Sequence, residues 1–244
     1  MSSWLSTRYE NVFAYIEAGI REGELAPGEK LEGERKLAEK LGLSRETVRQ
    51  GLDLAEQAGL IVRIPQRGTF VASPRVNQSL GEMRSFRHTV QGLSMTPAYQ
   101  LRRVEVVRLE EETAGRLQMP AGSEGLEVEV LGQANGLPMA LYVSTLPKWV
   151  ADAIGQTDSW GDRASYELAA AALSLKSLTV TQEFEAITLR REQALILRTR
   201  PGLAGFKSLS LFASPDGRPV EIRSAWYPGG RYKFGATRKI EFQD

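Results

Sequence analysis

The chain has 244 residues, 42% hydrophobic, 25% charged and 8% aromatic, which is apolar material for one large or two modest domains and excludes a disordered, collagen-like or rod-like chain. Its 31 Lys and Arg against 30 Asp and Glu give a formal charge of +1, so a charged partner must be met by a local patch and not by a bulk field. With no cysteine and one histidine, His88, disulfides, thiolate catalysis, iron–sulfur clusters, sulfur-built zinc sites and a HExxH helix are excluded. No metal site and no cofactor is expected. Residues 1–8 lack the basic and apolar regions of a signal peptide, and the longest apolar stretch, around Leu168 to Leu173, is far short of the roughly 20 residues that span a bilayer. A cytoplasmic protein without a membrane partner is the expectation.

In chain order, Tyr9, Val12, Phe13, Ile16 and Ile20 recur at helical spacing, which predicts an amphipathic helix over residues 6–22 closed by Gly23. Pro27-Gly28 signals a tight turn. A second helix fits Glu34 to Leu41, with Gly42 as its left-handed stop. Ser44 then caps a third helix to about Ala58, with Val48, Leu52 and Ala55 inward. Leu60 to Ile64, the Gly68 turn and Thr69 to Val71 read as a β-hairpin. Helix, helix-turn-helix and hairpin is the layout of a winged helix, assigned to residues 1–72. Residues 73–80, polar and marked by Pro74, read as a linker.

Residues 81–244 mix periods. Strands fit Val104 to Arg108, Leu126 to Leu131, Met139 to Thr145 (joined to the preceding one through Asn135-Gly136), Leu178 to Leu189, Phe206 to Ala213 and Val220 to Tyr227. Helices fit Glu110 to Leu117, Lys148 to Ile154, Ser165 to Leu173 and Arg191 to Leu197. Strand runs broken by helices at irregular intervals argue for an α+β sheet domain and against regular βαβ winding.

Arg35, Arg45 and Arg49 lie where the second and third helices begin, and the i, i+4 step from Arg45 to Arg49 puts both on one face, with Ser44 and Thr47 in the same turn. The first turn of the second helix of a helix-turn-helix enters the major groove. Arginine forks suit guanine O6 and N7, whereas hydroxyls and helix N–H groups suit phosphate. Gln66-Arg67-Gly68 at the hairpin tip is placed to touch the adjacent groove. Residues 1–76 hold eleven basic and eleven acidic side chains, a balance that makes non-specific DNA binding weak and affinity dependent on a matched site.

The runs Gly23 to Gly28, Gly33 to Glu39, Leu43 to Arg49 and Arg67 to Val71 resemble the GntR family of bacterial transcription regulators. The resemblance implies that Arg35, Arg45 and Arg49 contact double-stranded DNA, with Ser44, Thr47 and Gly68 assisting. Two departures stand out: Glu32-Gly33 replaces the usual Pro-Ser, and Gly51 replaces the usual Ala, changes that bear on operator preference or helix rigidity.

In the second segment Asn135 to Met139, Gln182 to Ala186, Asp216 to Glu221 and Arg231 to Phe234 resemble the UTRA effector domain of the HutC subfamily. This resemblance implies a chorismate-lyase-like mixed sheet, a small-molecule pocket and homodimerisation. Position in that pattern assigns the pocket to Arg84, Ser85, Phe86, Tyr142, Glu183, Glu185, Glu221, Arg223 and Tyr227. Sugar-phosphate-responsive relatives carry arginines on the strand before Asn-Gly, where this chain has Val130 to Gln133, which points to a less anionic ligand. The sequence therefore reads as a homodimeric, ligand-responsive repressor that binds a pseudo-palindromic operator. An enzyme using Glu183 and Glu185 as acid and base is the alternative, and a non-specific architectural protein is disfavoured by the charge balance. Gly23 to Gly28 has Walker spacing without the following Lys-Ser/Thr pair, Asn77 to Ser79 matches a glycosylation acceptor by chance, and His88 has no nucleophile motif nearby.

Overall fold

The computed structural model describes residues 8–22, 24–25, 28–72, 75–93, 95–199 and 201–239. The expected helix closure at Gly23, the Pro27 half of the turn, and Ser73-Pro74 lie outside them.

The first unit is α1 (Arg8–Glu22), α2 (Glu34–Leu41), α3 (Arg45–Gln57) and a hairpin of β1 (Ile61–Ile64) with β2 (Gly68–Val71). Val12 and Ile16 of α1, Leu37 of α2, Val48, Leu52 and Ala55 of α3, and Ile61 and Val71 of the hairpin close one core. Gly42 stops α2 in the left-handed region at φ 65°, and the Ser44 side chain caps α3 by accepting from Thr47 N–H. Residues 28–31 run beside β2, with Leu31 N–H donating to Thr69 O at 2.9 Å and Val71 N–H to Glu29 O at 2.8 Å, so the wing gains a third edge from the segment read as a turn.

The second unit is built on a six-stranded antiparallel sheet. Its strands are β4 (Pro97–Arg108), β5 (Glu124–Ala134), β6 (Leu137–Pro147), β7 (Thr179–Thr188), β8 (Ala204–Ala213) and β9 (Pro219–Pro228), in spatial order β4-β5-β6-β9-β8-β7. Helices α5 (Glu111–Arg116), α6 (Lys148–Ile154), α7 (Ser165–Ala172) and α8 (Arg191–Ile196) pack on it. The α+β architecture expected from the mixed periods is the one observed, and the Asn135-Gly136 turn has the positive φ values, 49° and 75°, that a tight hairpin needs.

Several elements differ from the sequence reading. β4 begins at Pro97, seven residues before the expected Val104. Residues read as linker form β3 (Val76–Ser79), paired in parallel with β10 (Tyr232–Gly235). Val76 is fully buried, but one inward apolar residue in a polar run carries no visible period, and the pairing joins segments far apart in sequence. α4 (Phe86–Gln91) is six residues long, too short to display a 3.6 repeat. Arg75 ties the two units together: Nη2 donates to Ala58 O at the end of α3 (2.9 Å), and Nε donates to Gly230 O between β9 and β10 (3.2 Å).

Gly51, read from sequence as bearing on helix rigidity, has a packing role. A Cβ there would stand 2.6 Å from Tyr9 O and inside contact distance of Val12, so α1 crosses α3 directly over this residue. Gly51→Ala gains about 1 kcal/mol of helix propensity, but forced overlap in a packed core costs about 1 to 3 kcal/mol. The expected outcome is a lower urea midpoint at unchanged slope, and a raised midpoint would show that α1 yields.

Candidate functional site

The α3 end of the first unit presents Arg45 in its first turn, exposed, with no ion pair among the described residues. Arg49, one turn on, is exposed and held by Glu46 at 2.9 Å, and Arg35 on α2 is held by Glu39 at 3.0 Å. Ser44 and Thr47 are joined hydroxyl to hydroxyl at 2.8 Å, besides the cap. Behind this face, Arg63 of β1 reaches Asp53 (2.6 Å) and Arg49 O (3.2 Å), which locks the wing to the middle of α3. At the wing tip Gly68 has φ +115°, a conformation that L side chains rarely adopt. The Arg67 and Lys30 cations stand over the Phe70 ring at 5.9 and 6.0 Å. The structure thus sets a helix N-terminus, three guanidinium groups and a basic wing at exposed positions, each arginine beside at most one exposed carboxylate whose hold is weak, about 0.2 to 1 kcal/mol.

The second site is a cavity on the face of the large sheet that also carries α4 and α7. Its volume is about 40 Å³, and its wall includes Arg84, Phe86, Tyr142, Arg223 and Tyr227, five of the nine residues assigned to a pocket from sequence. Glu183 and Glu185 are corrections. Gln182 lies in the wall and donates to Ser210 Oγ at 2.8 Å, so the period of two turns both neighbouring acids to the opposite, exposed side of β7. Ser85 is not in the wall either; its hydroxyl caps α4 by accepting from His88 N–H. Glu221 stands behind the wall, fully buried. The sequence reading missed Tyr99, Ser144, Arg163, Ser165, Tyr166 and Gln182 of the lining; serines at inward positions of apolar strands were the available signal for Ser144.

The polar centre of this cavity is one network. Arg223 is paired with Glu221 at 2.8 Å. Its Nε donates to Ser144 Oγ at 3.0 Å and its Nη2 to Ser165 Oγ at 2.7 Å, while Ser165 also donates to Glu221 Oε1 at 2.8 Å. The guanidinium carbon lies 4.9 Å from the Tyr166 ring centre, 5.2 Å from Phe212 and 5.5 Å from Tyr142. Burial pushes the Tyr99 phenol up to about 12 and raises those of Tyr142, Tyr166 and Tyr227 as well, because a phenolate is poorly solvated there. All four therefore present neutral hydroxyls at physiological pH. Arginines reach the cavity from the segment before α4, from the turn leading into α7 and from β9, not from the strand before Asn135-Gly136.

Residues 8–71 match the model described as "Bacterial regulatory proteins, gntR family", and residues 92–233 match the UTRA domain. The chain is 30% identical over 226 residues to the HTH-type transcriptional repressor NagR of Bacillus subtilis, covering 93% of this chain and 92% of that one. It is 33% identical over 113 residues to the histidine utilization repressor of Klebsiella aerogenes, about half of each chain (46% and 45%). The crystal structure of PhnF from Mycobacterium smegmatis superposes with a TM-score of 0.65 at 22% identity, covering 94% of this chain and 100% of that one, a likeness of fold.

Two outcomes follow from the network. Arg223→Met leaves Glu221 buried without its cation and should cost about 3 to 5 kcal/mol, most of it recovered when Glu221→Leu is added; denaturant unfolding of the three chains decides, and additive losses would mean that the two residues do not act as a pair. The tyrosines give a pH window. Their folded pKa values lie above the unfolded value of about 10, so the native state binds more protons in between, and stability present below pH 10 is lost as pH rises towards about 12. A melting temperature that stays flat from pH 9 to about 11.5 would contradict this.

Proposed function

From the premise that this chain is a member of the GntR family of bacterial regulatory proteins and carries a UTRA domain, we propose that it is a homodimeric repressor of a catabolic or uptake operon, released from a pseudo-palindromic operator by a small-molecule effector. NagR of Bacillus subtilis and the histidine utilization repressor of Klebsiella aerogenes are named as repressors, which supports the sign of regulation, and neither is named as an enzyme. The acid–base pair that an enzyme reading would use, Glu183 and Glu185, is turned to the exposed face of β7. No helix among the described residues is long and apolar enough to cross a membrane, which agrees with a cytoplasmic site of action.

One observation carries the reading. The segment that leaves the wing, residues 75–86, is bonded to α3 through Arg75 and also supplies Gln78, Arg84 and Phe86 to the cavity wall. DNA-reading helix and ligand cavity thus share one stretch of chain. In this reading Arg45 and Arg49 enter the major groove, Arg35, Ser44 and Thr47 hold phosphates, and the wing around Gly68 follows the backbone. Among the described residues Arg45 has no ion-pair partner to give up, whereas Arg49 and Arg35 must exchange theirs.

Selection from a random duplex library identifies the operator, and fluorescence anisotropy at fixed salt then ranks variants. Arg45→Ala should lose about 1 to 3 kcal/mol of operator affinity if its fork reads a base, and more than Arg35→Ala; unchanged affinity would remove Arg45 from the interface. The selected site should be an inverted repeat with half-sites about one helical turn apart, and the chain should sediment as a dimer at micromolar concentration. An asymmetric site bound by a monomer would overturn the dimer.

A further inference from the structure

We infer that the effector of this cavity is a small organic carboxylate with a flat or ring-shaped body, its carboxylate seated on Arg223. This inference rests on the reading of the cavity as the effector site.

The first support is the hydrogen-bond inventory of Arg223, which is 7% exposed. Nε and Nη2 are taken by Ser144, Ser165 and Glu221. Among the described residues none accepts from Nη1, and Nη1 is not one of the fully enclosed atoms that lack a partner. It therefore faces the open space of the cavity, and its N–H groups are the donors of the guanidinium left for a guest. A charged donor fixed by three neighbours and with one nitrogen lacking an acceptor is a site prepared for one.

The second support is charge. Glu221 already neutralises Arg223 and does so through Oε1 alone, its Oε2 having no hydrogen bond. Arg84 at the rim is paired with Glu82 at 2.9 Å. That leaves Arg163, which donates to the Glu167 carbonyl at 3.4 Å and has no ion pair among the described residues, as the cation in excess. One uncompensated positive charge suits a single negative one. With Arg223 balanced by Glu221 and Arg84 by Glu82, a monoanion leaves the wall neutral, whereas a phosphate dianion would leave one negative charge in excess and a neutral guest one positive charge.

The third support is shape. Phe86, Tyr99, Tyr142, Tyr166 and Tyr227 supply aromatic walls, with Phe86 and Tyr142 edge to face at 6.2 Å. A cavity of about 40 Å³, where one water needs about 10 to 15 Å³, admits only a compact guest. Gln78, Gln182 and Ser210 leave polar groups for a ring substituent.

The test is calorimetry and thermal shift on the full chain with benzoate, trans-cinnamate, benzamide, phenyl phosphate and glucose 6-phosphate at millimolar concentration. The two carboxylates should bind at least about tenfold more tightly than benzamide and both phosphates, and lose at least about tenfold in the Arg223→Gln/Glu221→Gln variant. That double change removes both charges and leaves no lone buried ion; should it fail to fold, Arg223→Lys keeps the charge, removes Nη1 and should lose the same binding. Failure of any probe to bind overturns the carboxylate assignment. So does a phosphate that outbinds the carboxylates; if the cavity-filling Tyr142→Trp then abolishes its binding, the cavity remains the effector site. Carboxylate binding untouched by all three variants overturns the inference and the effector-site reading together.

Discussion

A buried ion pair organises the effector unit. Taking an arginine and a glutamate out of water costs several kcal/mol per ion, and the pair is tolerated only where geometry and extra hydrogen bonds make up the loss. Here Arg223 and Glu221 lie two residues apart on β9, next to the centre of the sheet, and therefore on the same face. Ser144 of β6 and Ser165 at the start of α7 complete the network, and Tyr142, Tyr166 and Phe212 turn their ring faces to the cation. A strand, its neighbour and a helix are thus held in register by three side chains around one guanidinium. Well-packed apolar residues of equal volume would serve stability as well or better, so the network fits a site that must keep a charge ready in a dry place.

The winged helix was legible from sequence because its signals are local. The Ser44 cap, the Gly42 stop and the inner stripe of α3 each act within a few residues, and the wing turn is set by Gly68. In the second unit the strands were legible from their period but not from their phase. Alternation correctly put Glu183 and Glu185 on one face of β7, yet nothing in residues 179–188 tells which face meets α7, and the cavity took Gln182 instead. The lining itself was half hidden for the same reason. Tyr99 on β4 meets Arg163 and Tyr166, before and at the start of α7, only after the sheet has formed, and β3 acquires its partner only when β10 is in place.

The departures from the family pattern also needed coordinates to be understood. Gly51 looked like a weakness in the recognition helix, but α1 passes too close for a Cβ, so local propensity yields to packing. Gly33 caps α2 without a side-chain bond, and neighbouring Glu32 is spent on Lys40 at 3.6 Å, away from Arg35. Neither change puts an acid against the guanidinium of Arg45.

The connection between the two units has a strength suited to a switch. Arg75 is exposed and makes two hydrogen bonds to carbonyls, one on each unit, while its guanidinium rests against Gly59, where any side chain would collide. Bonds of a charged donor contribute about 1.5 to 3 kcal/mol each when sheltered and less in water, so the bridge is comparable to the 1 to 3 kcal/mol by which effectors ordinarily shift a partner site. Val76, next in the chain, is tied to Arg231 O at 2.9 Å, and Arg231 is itself buried and bonded to Leu197 O at 2.6 Å, so the effector-unit side of the bridge is rigid. Tyr232, beside Arg231, packs at 4.6 Å on Tyr227 of the cavity wall. A guest that displaces Gln78 or Tyr227 therefore acts three positions from Arg75 or Gly230, and the route from there to α3 runs through the bond from Arg75 to Ala58.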